Sequence, residues 1–175
     1  MSAAGNYGKS LFELAMENNI ENVILEDLKG IADLFNKNHD YVKILDSPQI
    51  ERNELMKILN EDFMGEIHRY TLNFLKILCE KHMVHDFSKC AEEYEKLYNK
   101  AKNISIVNVT TARELSDGLA NKLEEKLKSR LGGKIVLKKR VDKSCIGGII
   151  IEFDGKRIDS SLKTELANIR QSLVK

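Results

Sequence analysis

Apolar residues recur at helical spacing through the N-terminal part of the chain and predict a series of short amphipathic helices. Polar residues fill the opposite faces, as expected for helices that pack around a shared core. The predicted helices cover residues 4–17, 20–36 and 40–45, a fourth that starts at Ser47–Pro48 and continues to Leu59, a fifth from Ile67 to Leu78, and a sixth from Val84 to Ala101. Six helices with short connections indicate a bundle of roughly 100 residues.

The pattern changes after residue 103, where β-branched residues predict a strand from Ile104 to Val109. Thr111 and Glu114 have the spacing of a capping box, which predicts that a leucine-rich helix begins at Thr111. Gly132–Gly133 ends that helix, because glycine readily adopts the left-handed conformation that follows a helix. A second strand follows from Ile135 to Val141.

A β-hairpin is predicted near the C-terminus. Gly147–Gly148 opens an apolar run from Ile149 to Phe153, and the pair Asp154–Gly155 is typical of a two-residue hairpin turn. A short return strand continues through Ile158. Asp159–Ser160 can then cap a helix. The apolar stripe of that helix consists of Leu162, Leu166, Ile169 and Leu173.

These elements predict an α+β protein with two domains, a six-helix bundle over residues 1–102 and a small α+β domain over residues 103–175. The charges differ between them. Residues 1–102 hold 13 Lys and Arg against 18 Asp and Glu, whereas residues 103–175 hold 15 against 9. Two parts of opposite net charge favour two surfaces that meet different partners.

Composition narrows the class of protein. With 42% hydrophobic residues the 175-residue chain can form real cores. We find no apolar run long enough to span a bilayer and no signal-peptide pattern. The three cysteines lack framework spacing, which favours reduced thiols. We therefore expect a soluble protein in the cell interior, and the lack of a transit-like leader favours a bacterial source.

Two motifs resemble ligand-binding sites, one for phosphate and one for zinc. Residues 5–10 end like a phosphate-binding loop, but Ala3 stands where the motif needs glycine, so an ordinary helix is the stronger interpretation. Cys79, His82 and His85 could line one helical face toward zinc, with Asp86 nearby as a fourth ligand, yet polar residues at a helix junction explain them more simply. No nucleophile, base and oxyanion donor come together in the sequence. We therefore expect no catalytic residues, no cofactor and no metal.

A basic cluster, Lys138, Lys139, Arg140 and Lys143, precedes the hairpin. It could be a solvated face, a docking face for an acidic or mixed-charge helix, or a phosphate site. Single-strand nucleic-acid binders also use aromatic platforms, and Phe153 is the sole aromatic residue from position 103 onward. A basic module of a nucleic-acid-binding protein is therefore the alternative function.

The chain resembles the delta subunit of F-type ATP synthases, the family that includes the mitochondrial oligomycin-sensitivity-conferring protein. The C-terminal residues that carry the resemblance are Val109, Thr111, Ala112, Leu115, Ser116, Val141, Asp142, Ile146, Gly147, Gly148, Asp154, Gly155, Asp159, Ser161 and Leu162. Less specific matches in the helical half are Tyr7, Leu11, Phe12, Ala15, Leu45, Ser47, Pro48, Ile50, Asn73, Phe74, Leu75 and Leu78. Cys145 and Met83 depart from the usual pattern, which has an aliphatic residue and often Arg there.

The resemblance implies a non-catalytic stator subunit of the rotary proton-translocating ATP synthase, on the cytoplasmic side of the cell membrane and attached to it through the complex. It would join the alpha/beta catalytic head to the b subunits of the peripheral stalk and resist the torque of the rotor. No nucleic acid and no small-molecule substrate are expected partners.

The resemblance also implies contact residues. A groove between the first and fifth helices would hold the N-terminal helix of an alpha subunit through Tyr7, Leu11, Leu14, Asn73, Phe74, Ile77 and Leu78. The same apolar stripes also suit a bundle core, so each of these residues has two interpretations. For the b subunits we predict contacts from the basic hairpin face and the terminal helix, through Lys138, Lys139, Arg140, Leu162, Leu166 and Ile169.

Overall fold

The computed structural model describes residues 3–164, and the chain divides into two units between Tyr98 and Asn99. Unit 1 is the part up to Tyr98, and unit 2 is the part from Asn99 onward. No helix among the described residues is long and apolar enough to cross a membrane. The architecture is α+β, with helices in unit 1 and a four-stranded sheet in unit 2.

Unit 1 is helical, and its amphipathic helices share one apolar core. Fully buried core residues such as Ile24, Leu28 and Leu75 occupy the stripes that the sequence pattern predicts. The helices are α1 (Ala3–Glu17), α2 (Glu21–Lys37), α3 (His39–Leu45), α4 (Arg52–Phe63), α5 (Arg69–Glu80) and α6 (Phe87–Ala101).

The predicted start of α4 is wrong. The helix begins at Arg52, whereas Ser47 and Pro48 lie in the connection that precedes it. The Ser47 hydroxyl accepts a hydrogen bond from the backbone N–H of Gln49, at 3.3 Å, and so stabilises a turn instead of a helix. Proline at the first turn of a helix and proline in a turn share the same fixed φ, and the sequence signal does not separate them.

Carboxylates from other helices cap two helix starts. Asp27 in α2 accepts hydrogen bonds from the backbone N–H of His68, at 2.8 Å, and from the hydroxyl of Thr71, at 2.7 Å, at the beginning of α5. Asp46, which ends α3, accepts from the backbone N–H of Val84 at 2.9 Å, in the 3-10 turn before α6. Such bonds satisfy amides that have no partner within their own helix.

Gly8 lets α1 approach α6 closely. A Cβ at this position would lie 2.4 Å from the carbonyl oxygen of Cys90, so no larger residue fits without movement of a backbone. Residues 5–10 all lie inside α1. The glycine of the apparent phosphate loop therefore serves helix packing.

Unit 2 contains a sheet with strand order β2-β1-β3-β4. β1 and β2 are parallel and are connected by a helix, and the other neighbours are antiparallel. The elements are β1 (Ile104–Thr111), α7 (Asp117–Leu131), β2 (Lys134–Val141), β3 (Gly148–Phe153) and β4 (Lys156–Ser161), with a 3-10 turn at Lys143–Cys145. Val107, Val109 and Ile135 form its core with Leu127 of α7.

The predicted capping box at Thr111 and Glu114 is wrong. Thr111 is the last residue of β1, and its hydroxyl donates to the carbonyl of Arg113 at 2.6 Å. The helix instead follows Ser116, with Asp117 in its first turn. The sheet pairing of Thr111 with β2 and β3 outweighs the local capping preference.

The predicted hairpin turn is confirmed. Asp154 and Gly155 have φ values of 46° and 71°, both in the left-handed region that a two-residue type I′ turn requires. The predicted helix cap at Asp159–Ser160 is wrong, because both residues belong to β4, which is therefore longer than predicted. Ser161 begins the next helical turn, since its hydroxyl accepts a hydrogen bond from the N–H of Thr164.

Candidate partner-binding surfaces

The first and fifth helices contribute both core and surface residues to the predicted alpha-subunit groove. Leu11, Phe74 and Leu78 are buried in the core of unit 1. Leu14 is 37% exposed and Ile77 is 44% exposed, although both are large apolar side chains. Tyr7 is half-buried and Asn73 is exposed. The residues available to a partner are therefore Leu14, Ile77 and Asn73, with part of Tyr7, and we call this set the α1–α5 surface.

A contact that the sequence pattern did not reveal connects the two helices. The Tyr70 hydroxyl at the start of α5 donates to the side-chain oxygen of Asn18, just after α1, at 3.4 Å. Asn18 also donates to the carbonyl of Leu14, at 2.8 Å. The guanidinium of Arg69 lies 4.8 Å from the centre of the Tyr70 ring. Tyr70 and Asn18 are 52 residues apart in the chain, so local sequence spacing does not predict this contact.

Three residues of the basic cluster lie on β2, an edge strand of the sheet, and the fourth, Lys143, lies in the 3-10 turn that follows. Lys138, Lys139 and Arg140 are all exposed. Lys139 forms an ion pair with Asp117 of α7, at 3.7 Å. Because side chains alternate along a strand, Lys138 and Arg140 point to the opposite face from Lys139.

Leu162 follows β4 and is 45% exposed. Its backbone N–H donates to the carbonyl of Gly147, at 3.1 Å, and a Cβ on Gly147 would lie 2.7 Å from a Leu162 methyl carbon. Gly148 is equally constrained, since a Cβ there would lie 2.2 Å from the carbonyl oxygen of Ser160. The paired glycines thus permit a close approach of β3 to the end of β4. The other predicted contact residues of the terminal helix, Leu166 and Ile169, lie outside the described residues.

The ionisable groups considered as metal ligands are engaged otherwise. Burial raises the pKa of the Cys79 thiol to about 12. The ring of His85 lies 2.5 Å from a carboxylate oxygen of Asp46. Among the described residues, no three His, Cys, Asp or Glu side chains form a group that could hold a metal ion.

The geometry defines a class of protein. Unit 1 exposes apolar side chains such as Leu14 and Ile77, and unit 2 exposes the basic side chains of β2. Such surfaces are typical of a protein that joins other proteins.

Comparisons with known proteins identify the family. The model of the ATP synthase delta (OSCP) subunit matches residues 3–173. The chain is 32% identical over 169 residues to the ATP synthase subunit delta of Clostridium botulinum (strain Loch Maree / Type A3), covering 97% of this chain and 94% of that protein. It is 33% identical over 174 residues to the ATP synthase subunit delta of Desulforamulus reducens, covering 99% and 96%.

The fold is also found in a solved complex. The chain superposes on a chain of the cryo-EM structure of the Toxoplasma gondii mitochondrial ATP synthase hexamer with a TM-score of 0.77, covering 100% of this chain and 99% of that one at 18% identity. The protein belongs to the ATP synthase delta (OSCP) subunit family. It is a structural component of the stator, or peripheral stalk, of ATP synthase and is not itself catalytic. The comparisons give no support to the nucleic-acid-binding alternative.

Proposed function

We propose that the chain connects the catalytic head of ATP synthase to the b subunits of its peripheral stalk. Residues 1–102 act as a six-helix bundle that binds the head, and residues 103–175 bind the stalk. Opposite net charges of these two parts support separate partners. The complex holds the protein at the cytoplasmic face of the cell membrane, with no direct membrane contact.

The partner of unit 1 is the N-terminal helix of an alpha subunit. The exposure of Leu14 and Ile77 is the observation that supports this proposal most directly. Helix-in-groove recognition uses apolar anchors at helical spacing, and burial of such side chains by a partner helix is favourable. Leu11, Phe74 and Leu78 of the same two helices are buried in the core of unit 1 and hold the helices in place.

A titration calorimetry experiment tests this proposal on the full chain. A synthetic peptide of the alpha subunit's N-terminal helix is expected to bind with one-to-one stoichiometry. Leu14→Asp and Ile77→Asp each place a charge in the interface and are expected to weaken binding at least about tenfold.

The chain offers closely matched controls for both variants. Leu34 in α2 is 36% exposed, compared with 37% for Leu14, and Val23 is 46% exposed, compared with 44% for Ile77. Leu34→Asp and Val23→Asp are therefore expected to leave the dissociation constant within about twofold of the original. Equal losses in test and control variants, or no binding by the folded wild-type chain, would refute the assignment.

A further inference from the structure

The sheet of unit 2 has one face that α7 does not cover. Val107 and Val109 point toward α7 and are buried with Leu127. Asn108 lies between them in β1 and therefore points to the other side of the sheet. Its partner in register on β2, Lys138, points the same way, and both side chains are exposed. We call this side of the sheet the open face.

The strand register arranges the open face in rows that cross all four strands. The first row contains Lys138, Asn108, Glu152 and Arg157. The second row contains Arg140, Thr110, Ile150 and Asp159. Ile150 is buried, so the first row is the more accessible part.

The charges on the open face differ between its β4 side and its β2 side. On the β4 side, Arg157 donates to Glu152 at 2.9 Å and to Asp159 at 3.2 Å, so one cation meets two carboxylates. On the β2 side, Lys138 and Arg140 have no carboxylate within ion-pair distance among the described residues. The open face is therefore positive along β2 and close to neutral or negative along β4.

Apolar surface lies next to this charged row. Ile106 helps line a cleft of about 350 Å³ at the hairpin end of the open face, with Asn108, Glu152 and Arg157 among its other walls. Val136, the partner of Ile106 in register, is 37% exposed. A binding partner can thus place an apolar side chain in the cleft while its polar flank meets the cations of β2.

We infer that the open face binds a helix of the stalk's b subunit that carries Asp or Glu along the flank facing β2. This inference rests on the proposed function of unit 2 and adds which face of the sheet is used. A helix about 10 Å across covers two strands spaced about 4.8 Å apart, so it fits over β2 and β1 and reaches the cleft. The inference departs from the predicted contact set at Lys139, which lies outside this interface because it pairs with Asp117 on the α7 side.

The test compares two double charge reversals in the full chain. Lys138→Glu with Arg140→Glu reverses the charge of the open face, and Lys122→Glu with Lys126→Glu makes the same change in net charge at exposed positions of α7. Binding of a soluble fragment of the b subunit is measured by calorimetry, and urea unfolding checks that each variant is folded. The open-face variant is expected to bind at least about tenfold more weakly than wild type, and the control within about twofold.

Distinct results overturn the inference and the proposed function. If the b fragment binds the wild-type chain and both double variants weaken it equally, or neither does, the open face is not the interface, while the stalk function stands. If the b fragment does not bind the folded wild-type chain, the proposed function of unit 2 fails and the inference fails with it.

Discussion

At the scale of single residues, a glycine can allow two backbones to approach more closely than any other residue would. Gly8→Ala would place a methyl group 2.4 Å from the Cys90 carbonyl oxygen and force α1 away from α6. We expect a loss of about 1–3 kcal/mol in the free energy of unfolding, measured by urea denaturation. Gly30, also within a helix, has open space around its Cβ position. Gly30→Ala should therefore stabilise by about 0.5–1 kcal/mol, and equal effects of the two substitutions would contradict this account.

Titration of a single carboxyl group gives a second residue-scale prediction. Hydrogen bonds from Ser161 lower the pKa of Asp159 from its ordinary value of 3.8 to about 2. Because the folded-state pKa is the lower one, this carboxylate stabilises the fold above pH 3.8, and the contribution is lost as the pH falls toward 2. NMR titration should show that Ser161→Ala raises the pKa of Asp159. Ser160→Ala should leave it unchanged, and a similar rise in that variant would argue against the Ser161 bonds as the cause.

At the scale of elements, helix starts depend on partners that are distant in sequence. Asp27→Ala removes the acceptor for the His68 amide and for the fully buried Thr71 hydroxyl. Leaving those donors unsatisfied should cost about 1–3 kcal/mol of unfolding free energy. Asp33, exposed on the same helix, is the control, and Asp33→Ala should change stability by less than about 0.5 kcal/mol. Thermal and urea unfolding measure both variants, and a cost for Asp27→Ala as small as the control's would exclude the cap.

Elements that depend on local pattern were predictable from the sequence, and elements that depend on distant partners were not. Apolar periodicity located the core residues Ile24, Leu28 and Leu75 because burial repeats every turn of a helix. The Asp154–Gly155 turn was predictable because few other pairs tolerate two left-handed residues. The capping box at Thr111 failed, since pairing with two strands is a tertiary interaction that local spacing does not encode.

The residues of the α1–α5 surface were likewise only partly predictable from the sequence. Family resemblance located the helices of the α1–α5 surface, but only accessibility separated exposed Leu14 and Ile77 from buried Leu11 and Leu78. Both pairs fit an amphipathic stripe equally well, because the border between core and surface depends on how neighbouring helices pack.

At the scale of the whole molecule, the reactivity of buried thiols measures the folding of each unit separately. Cys79 lies in unit 1 and Cys145 in unit 2, and both are buried in the folded chain. Two variants that each keep one of these cysteines should react with an aromatic disulfide reagent roughly a hundredfold more slowly when folded than in urea. A labelling rate equal to that of the unfolded chain would show that the unit in question is open.

The division into units also has an optical consequence. The chain contains no tryptophan, and its five tyrosines, at positions 7, 41, 70, 94 and 98, all belong to unit 1. Intrinsic fluorescence excited near the tyrosine absorption band therefore comes from unit 1 alone. In the isolated chain, tyrosine emission can therefore report the unfolding of unit 1 without an attached dye, while unit 2 contributes no tyrosine signal.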